Sequence, residues 1–182
     1  MIFRQLFDSV SSTYSYVLAS RKGGEALIID PVLEKVDRYI QLLNELDLKL
    51  LKAVDTHLHA DHVTGLGALR DRTLCVTVMG EQTKYDVVSM RVGDGETVDI
   101  EGLQLGAIYT PGHTDDSYSY TMADRVFTGI RCSSAAPAAP ISKTAMRGSN
   151  MIPSSTDCSS CPKTRSSIPR TTTHLAPWRR SR

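Results

Sequence analysis

Histidine and aspartate are concentrated in one short part of the sequence, the segment Thr56-His57-Leu58-His59-Ala60-Asp61-His62. It follows an apolar stretch, residues 50–54, that we predict to be a buried strand. Side chains at positions i and i+2 of an extended strand end project to one side, so His57 and His59 can converge on one ion, with Asp61 and His62 at or beside it. Imidazole and carboxylate groups bind zinc, iron and related metals. The segment therefore predicts a metal site.

A second candidate ligand, His113, lies in a turn that follows another predicted strand, in Thr110-Pro111-Gly112-His113-Thr114. A single histidine in a turn is more often a surface residue than a ligand. Beside the first cluster, however, the ligand interpretation of His113 is favoured. A third strand end, residues 127–129, would complete the site if a carboxylate followed it. Ile130 stands at that position, and an aliphatic side chain cannot bind a metal.

The elements that must position these residues are mostly strands. Hydrophobic patterning predicts helices at residues 33–46 and 62–69. It predicts strands at residues 1–7, 14–19, 26–29, 50–54, 74–78, 96–100, 103–109, 118–122 and 125–128. A β-meander followed by alternating helices and strands favours an α/β sandwich with mixed sheets. Cys75, in an apolar stretch, is interpreted as a small core residue.

Composition and charge exclude several classes of function. The 182 residues are 41% hydrophobic and 23% charged, which is ordinary for a globular protein, and no apolar run reaches the ~20 residues of a membrane span. Residues 1–129 hold 12 basic and 19 acidic residues, so they carry no footprint for nucleic acid. The N-terminus lacks the features of a signal peptide. We therefore expect a cytoplasmic location, with no membrane or nucleic-acid partner.

The composition changes sharply after residue 129. Residues 131–182 hold eleven serines, six of the eight prolines and nine basic residues, against one acidic residue, Asp157. Such a segment buries too little apolar surface to offset the entropy of ordering it, so we expect disorder. We predict one domain over residues 1–129 and an aberrant tail over residues 130–182.

Three sequence features together resemble the metallo-β-lactamase superfamily: the His-x-His-x-Asp-His segment, the Thr-Pro-Gly-His-Thr loop and the Val-Phe-Thr-Gly strand end. Within it the chain looks most like the persulfide dioxygenases, through residues 27–34, residues 48–54 and Ala60. It is less similar to glyoxalase II, which usually has another histidine where Leu58 stands. The resemblance covers about residues 1–129 and implies an αββα sandwich whose second half is incomplete here.

The resemblance also implies a cofactor and a reaction. Persulfide dioxygenases are implied to hold one Fe(II) by two histidines, matched by His57 and His113, and one aspartate. His59, Asp61 and His62 would then orient the ligands or move protons, with Asp61 and His62 as the catalytic candidates. The substrate would be a small thiol persulfide such as glutathione persulfide, oxidised to sulfite. A homodimer is a possible assembly.

Two other interpretations stay open. The first is a zinc thioester hydrolase resembling glyoxalase II. There His57, His59 and His113 would hold one metal, while Asp61 and His62 would help to hold a second, and a metal-bound water would be the nucleophile. The second is a catalytically impaired, truncated fragment, because both kinds of enzyme need the aspartate that Ile130 replaces.

The unusual tail has a simple interpretation. If one nucleotide were missing near Gly129, each restored codon would join the third base of one codon to the first two bases of the next. If Gly129 is read from GGG, its last base and the first two bases of the Ile130 codon give GAT, which encodes the missing aspartate. The same shift permits a string containing Tyr-Pro-Ala-His-Asp-Tyr within residues 163–173, which resembles a downstream persulfide dioxygenase motif. We therefore interpret residues 130–182 as frameshifted.

Overall fold

A computed structural model describes residues 1–86 and 88–129 of the chain. The tail predicted over residues 130–182, with its expected disorder and changed reading frame, lies outside the described residues. The boundary predicted after residue 129 stays a prediction for the same reason. Among the described residues, no helix combines the length and the apolar character that crossing a membrane would require.

The first sheet has six strands in the order in which they occur along the chain. They are β1 (Ile2–Asp8), β2 (Thr13–Ala19), β3 (Glu25–Ile29), β4 (Lys49–Val54), β5 (Val76–Gly80) and β6 (Met90–Val92). The first three strands pair antiparallel as a meander, whereas β3 to β6 pair parallel. Parallel neighbours need crossover connections. Helices supply two of them: α1 (Val36–Glu45), which follows a 3₁₀ turn at Leu33–Lys35, and α2 (Leu66–Thr73).

The second sheet has four antiparallel strands in the order β10-β9-β8-β7. They are β7 (Thr97–Ile100), β8 (Leu103–Tyr109), β9 (Tyr118–Thr121) and β10 (Val126–Thr128). Tyr118 and Tyr120 of β9 are buried between the sheets. The backbone N–H of Tyr118 donates to the carbonyl of Thr56 over 2.8 Å, which connects β9 directly to the histidine segment after β4.

Two apolar cores show that the described residues form stacked layers. On β3, Ala26 and Ile28 pack with the helices, while Leu27 and Ile29 pack with the second sheet. This alternation follows from the two-residue period of a strand, and a strand covered on both faces is apolar throughout. The order helix, sheet, sheet confirms the predicted α/β sandwich. A further helical layer is not found within residues 1–86 and 88–129.

Three local predictions were wrong. The helix expected from residue 62 begins at Leu66, because residues 62–65 form a loop at the histidine segment. Leu74, expected to open a strand, ends α2 in a left-handed conformation with φ 59° and is largely exposed. Strand β6 was not predicted, because it has three residues and includes the exposed Arg91. Cys75 is buried, as expected.

Gly80 gives a test of how tightly the two sheets pack. A β-carbon at Gly80, the last residue of β5, would overlap the ring of the fully buried Tyr118. We expect Gly80→Ala to lower the free energy of unfolding by about 1–3 kcal/mol, because the ring or the backbone must move. Urea unfolding followed by circular dichroism measures this change.

The matched control is Gly67→Ala in α2, where an added β-carbon would meet no heavy atom within 4 Å apart from its chain neighbours and the backbone of its own helix. There the variant should be neutral or more stable by up to about 1 kcal/mol, since alanine restricts the unfolded chain and favours a helix. Equal stabilities for the two variants would contradict close packing at Gly80.

Candidate metal centre

The histidines come together because the two strands that precede them end at one place, where a third strand also ends. Strand β4 leads into the segment with His57, His59 and His62, β8 leads into the loop with His113, and β10 leads to Gly129. The ring centroids of His57 and His59 are 4.2 Å apart, as are those of His59 and His62. His113 stands edge-on to His57 at 5.4 Å. The predicted clustering of these four histidines is therefore present in the structure.

The two loops that carry the histidines are tied to each other. The backbone N–H of Leu58 donates to the carboxylate of Asp116 over 3.1 Å, which joins the His57–His62 segment to the loop of His113. The hydroxyl of Tyr109, at the end of β8, donates to the carbonyl of Asp115 over 2.8 Å. These contacts hold the exposed His113 ring beside the buried His57 ring.

His57 is the most deeply buried of the four histidines, with 1% of its surface exposed. Its Nδ1 lies 2.9 Å from Oγ1 of Thr56. Its Nε2 is buried and has no hydrogen-bond partner among the described residues. Burial, with a smaller contribution from neighbouring His59, lowers the pKa of His57 to about 4. His57 is thus a neutral ring with one nitrogen free to bind an ion.

His59 contacts a buried carboxylate. Its Nε2 lies 3.1 Å from Oδ1 of Asp30, and its Nδ1 is buried without a hydrogen-bond partner among the described residues. Burial is the largest single influence and acts to lower the pKa of His59, but the hydrogen bond and charge of Asp30, together with the charges of Asp55 and Asp61, raise the pKa overall. Asp30 occupies the Nε2 side of the ring. Nδ1 therefore remains free on the side near Asp61, and the ring itself lies against that of His57.

Asp61 and His62 form a pair that the β1–β2 hairpin supports. Nδ1 of His62 lies 3.2 Å from Oδ1 of Asp61, and the Thr13 hydroxyl lies 3.3 Å from both Nδ1 of His62 and Oδ2 of Asp61. Burial and the neighbouring His59 lower the pKa of His62. Its Nε2 is buried and has no hydrogen-bond partner among the described residues.

Asp55 lies next to Asp30 and His59 and is fully buried. Burial first, and then the neighbouring Asp30, raise the pKa of Asp55 to about 8. Ligand atoms of Asp30, Asp55 and His59 lie within 4.8 Å of one another. At neutral pH a proton on Asp55 relieves the repulsion between the two carboxylates. Asp55 therefore adds little negative charge under the histidines.

The residues present fit a metal ion. Three buried nitrogens without partners belong to His57, His59 and His62, and the His59 ring contacts each of the other two. Unpaired buried polar atoms are costly unless something binds them. Ligand atoms of His59, Asp61 and His62 also lie within 4.8 Å of one another. Neutral imidazole lone pairs beside a carboxylate are a donor set for Zn²⁺ or Fe²⁺.

The end of β10 lies against this cluster. A β-carbon placed on Gly129 would lie 2.8 Å from Nδ1 of His57 and 2.8 Å from Oγ1 of Thr56. The main chain therefore passes beside His57 immediately before position 130, where the sequence has isoleucine. The described residues bring histidines together there, and the residue at the expected third ligand position is not an acid.

Comparison with known proteins identifies the family. A family model described as the metallo-beta-lactamase superfamily matches residues 8–87, which include the whole His57–His62 segment. The chain belongs to the metallo-β-lactamase superfamily. The predicted fold class is therefore confirmed by both the layers and the family match.

The more similar relatives within the superfamily are persulfide dioxygenases. The mitochondrial persulfide dioxygenase ETHE1 of Mus musculus is 39% identical over 132 residues, covering 71% of this chain and 52% of that protein. The crystal structure of ETHE1 from Myxococcus xanthus is 50% identical, with a TM-score of 0.68, covering 70% of this chain and 56% of that one. The chain thus spans about half the length of these relatives.

A hydrolase is also similar, at lower identity. The hydroxyacylglutathione hydrolase of Rhodopseudomonas palustris (strain HaA2) is 29% identical over 122 residues, covering 66% of this chain and 47% of that protein. This order of similarity agrees with the sequence features, which resemble persulfide dioxygenases more than glyoxalase II.

Several residues of this superfamily site were not singled out as site residues from the sequence. Asp30 was noted only within a family-like stretch, and Thr13, Asp55 and Thr56 were not proposed for any role. Asp30 lies directly after the apolar strand β3 and has a left-handed backbone with φ 49°. An aspartate between a buried strand and a proline was a usable signal, whereas the contacts of Thr13 depend on the folded hairpin.

Proposed function

We propose that the chain represents a persulfide dioxygenase that oxidises glutathione persulfide with O₂. One persulfide, one O₂ and one water would give one thiol, one sulfite and two protons, so that the outer sulfur is oxidised and O₂ is reduced. The observation that carries the proposal is the pairing of His57 and His113 beside the β10 end, in a chain 50% identical to a solved ETHE1. Fe(II) is the proposed metal.

The chain's own residues would have separate tasks. His57 and His113 would hold the metal, and the metal would supply binding positions for O₂ and the persulfide sulfur. Asp61 and His62 would accept or return a proton beside it, since the two side chains already share a hydrogen bond. A cavity next to His59 and His62, walled in part by Leu58, Val63 and Tyr85, would exclude water from a small substrate.

The third ligand is part of the same proposal. We propose that residues 130–182 are read in a shifted frame and that an aspartate belongs after Gly129. The close approach of Gly129 to the His57 ring supports this, because an aspartate placed directly after Gly129 would follow a residue that lies beside a proposed ligand. The match to the relatives covers about 71% of the chain, which is close to the share formed by residues 1–129.

A zinc-dependent thioester hydrolase is the second candidate, and one observation favours it. Ligand atoms of Asp61 and His62 lie within 4.8 Å of each other and of one of His59, which suits a second metal next to the one that His57, His59 and His113 would hold. A fragment without activity is the third candidate, since Ile130 withholds a ligand from either enzyme. The possible homodimer and the cytoplasmic location stay predictions.

Metal analysis combined with two assays separates these candidates. In the chain with its frame restored after Gly129, we expect bound iron and O₂ uptake on glutathione persulfide, with thiol and sulfite formed in equal amounts. Bound zinc and thiol release from S-lactoylglutathione would instead support the hydrolase. Absence of both activities from the restored chain, with metal bound, would contradict the dioxygenase proposal. The chain as written should have little activity in either assay.

A further inference from the structure

We propose that Asp30 is a positioning residue that sets which nitrogen of His57 and of His59 is free to bind a metal. This inference deepens the proposed metal site and rests on it for its functional meaning. It depends on four hydrogen-bond contacts, three of them buried and one partly buried. They join Asp30 directly to His59, and through Thr56 to His57.

The first step is the carboxylate. Oδ1 of Asp30 accepts from the backbone N–H of Thr56 over 2.7 Å and lies 3.1 Å from Nε2 of His59. A carboxylate oxygen offers only lone pairs, so in neutral His59 the proton resides on Nε2. Nδ1 of His59 then carries the lone pair, and this is the nitrogen without a partner.

The second step passes through a hydroxyl. Oγ1 of Thr56 donates its one hydrogen to Oδ2 of Asp30 over 3.0 Å. The same oxygen can then only accept from Nδ1 of His57, 2.9 Å away, so the His57 proton resides on Nδ1. Nε2 of His57 becomes the free nitrogen, and it too has no partner. One carboxylate thus leaves Nδ1 of His59 and Nε2 of His57 without a proton, each with a lone pair for a metal.

The backbone of Asp30 supports this role. Its φ of 49° lies in the left-handed region, which most side chains avoid and which aspartate and asparagine adopt more readily. Its N–H donates to the carbonyl of Val54 over 2.8 Å, which holds the residue at the end of β4. Strain kept at a site by surrounding structure commonly accompanies function.

Asp30→Asn gives a sharp test, because it preserves size and backbone preference. Two donors meet at the Oδ1 position, so the amide oxygen must occupy it and the amide NH₂ must face Oγ1 of Thr56. The NH₂ donates to Oγ1, so the Thr56 hydroxyl loses its acceptor at residue 30 and can donate its hydrogen to Nδ1 of His57 instead. The His57 proton then moves to Nε2, while His59 keeps its proton on Nε2.

Long-range ¹H–¹⁵N correlation spectra of the metal-free full chain, with ¹⁵N-labelled histidine, read these tautomers at a pH high enough that the spectra no longer change with pH, so that both rings are neutral. The wild type should show His57 protonated on Nδ1 and His59 on Nε2. Asp30→Asn should move the His57 proton and leave His59 unchanged. Its affinity for Zn²⁺, titrated alone against a chromophoric chelator, should fall about 10- to 100-fold.

Thr56 provides the matched pair. Thr56→Ser keeps the hydroxyl and should retain the wild-type tautomer of His57, whereas Thr56→Val should abolish its preference for Nδ1 without changing His59. A wild-type His57 protonated on Nε2, or an unchanged His57 in both Asp30→Asn and Thr56→Val, would overturn the inference. The spectra are independent of turnover, so failure of the dioxygenase assay would leave this result standing, and the reverse also holds.

Discussion

Ile130→Asp is expected to raise the affinity of the chain for Fe²⁺ by more than about 100-fold. The substitution supplies a carboxylate directly after Gly129, whose main chain lies against His57. Loss of an outer hydrogen-bonding partner already costs 10- to 100-fold in metal affinity, and a direct ligand contributes more. Anaerobic titration with Fe²⁺ and elemental analysis after desalting measure the change.

Ile130→Asn is the control, because an amide of nearly the same size is a poorer ligand than a carboxylate. Its gain should be much smaller than that of Ile130→Asp. The chain with residues 130–182 restored in the shifted frame should gain iron and turnover together. Unchanged iron content in both Ile130→Asp and the restored chain would contradict the assignment of position 130. The nucleotides around the Gly129 codon give an independent check of the shift.

His57→Gln in the Ile130→Asp background is expected to return iron binding to the level of the chain as written. His57 combines an unpartnered Nε2 with the position beside both His113 and Gly129, so it is central to either ligand set. His59→Gln should reduce iron affinity only about tenfold, since His59 would act beside the ligands in a dioxygenase. Metal titration and far-ultraviolet circular dichroism separate lost binding from lost folding.

The comparison between these two variants also separates the proposed enzymes. In a dizinc hydrolase both His57 and His59 are direct ligands of one ion, so the two variants should lose metal equally. Equal losses, together with two zinc ions per chain before substitution, would contradict the dioxygenase and favour the hydrolase. Glutamine is used at both positions because it is close to histidine in length and remains polar.

Much of the fold followed from local patterns. Strands β1, β2, β3, β8 and β9 were predicted to within two residues at each end, because apolar runs or alternation mark them clearly. The missed strand β6 gains its stability from pairing with β5, which no local pattern records. The late start of α2 has a similar cause, since residues 62–65 are drawn into the histidine segment.

The candidate site likewise contains some residues that local sequence predicts and others that only the folded structure brings in. His57, His59, Asp61 and His62 were evident because they are adjacent in sequence, and His113 followed from its place after a strand. Asp30 and Thr13 reach the cluster from other strands, so their contacts require the sheet order and the hairpin register. Residue type and spacing predicted the candidate ligands, whereas the tertiary fold determines what contacts and orients them.

The position of Asp30 carries an evolutionary consequence. It imposes two requirements at once: a left-handed backbone and two acceptor oxygens. Glycine meets the first requirement and has no acceptor, glutamate brings two acceptors on a longer side chain, and asparagine has a donor in place of one acceptor. Aspartate alone satisfies both, although asparagine and glycine are each one nucleotide away. Sequence drift at residue 30 should therefore be far narrower than at its buried neighbours Ile28 and Ile29, where any aliphatic residue of similar volume can pack.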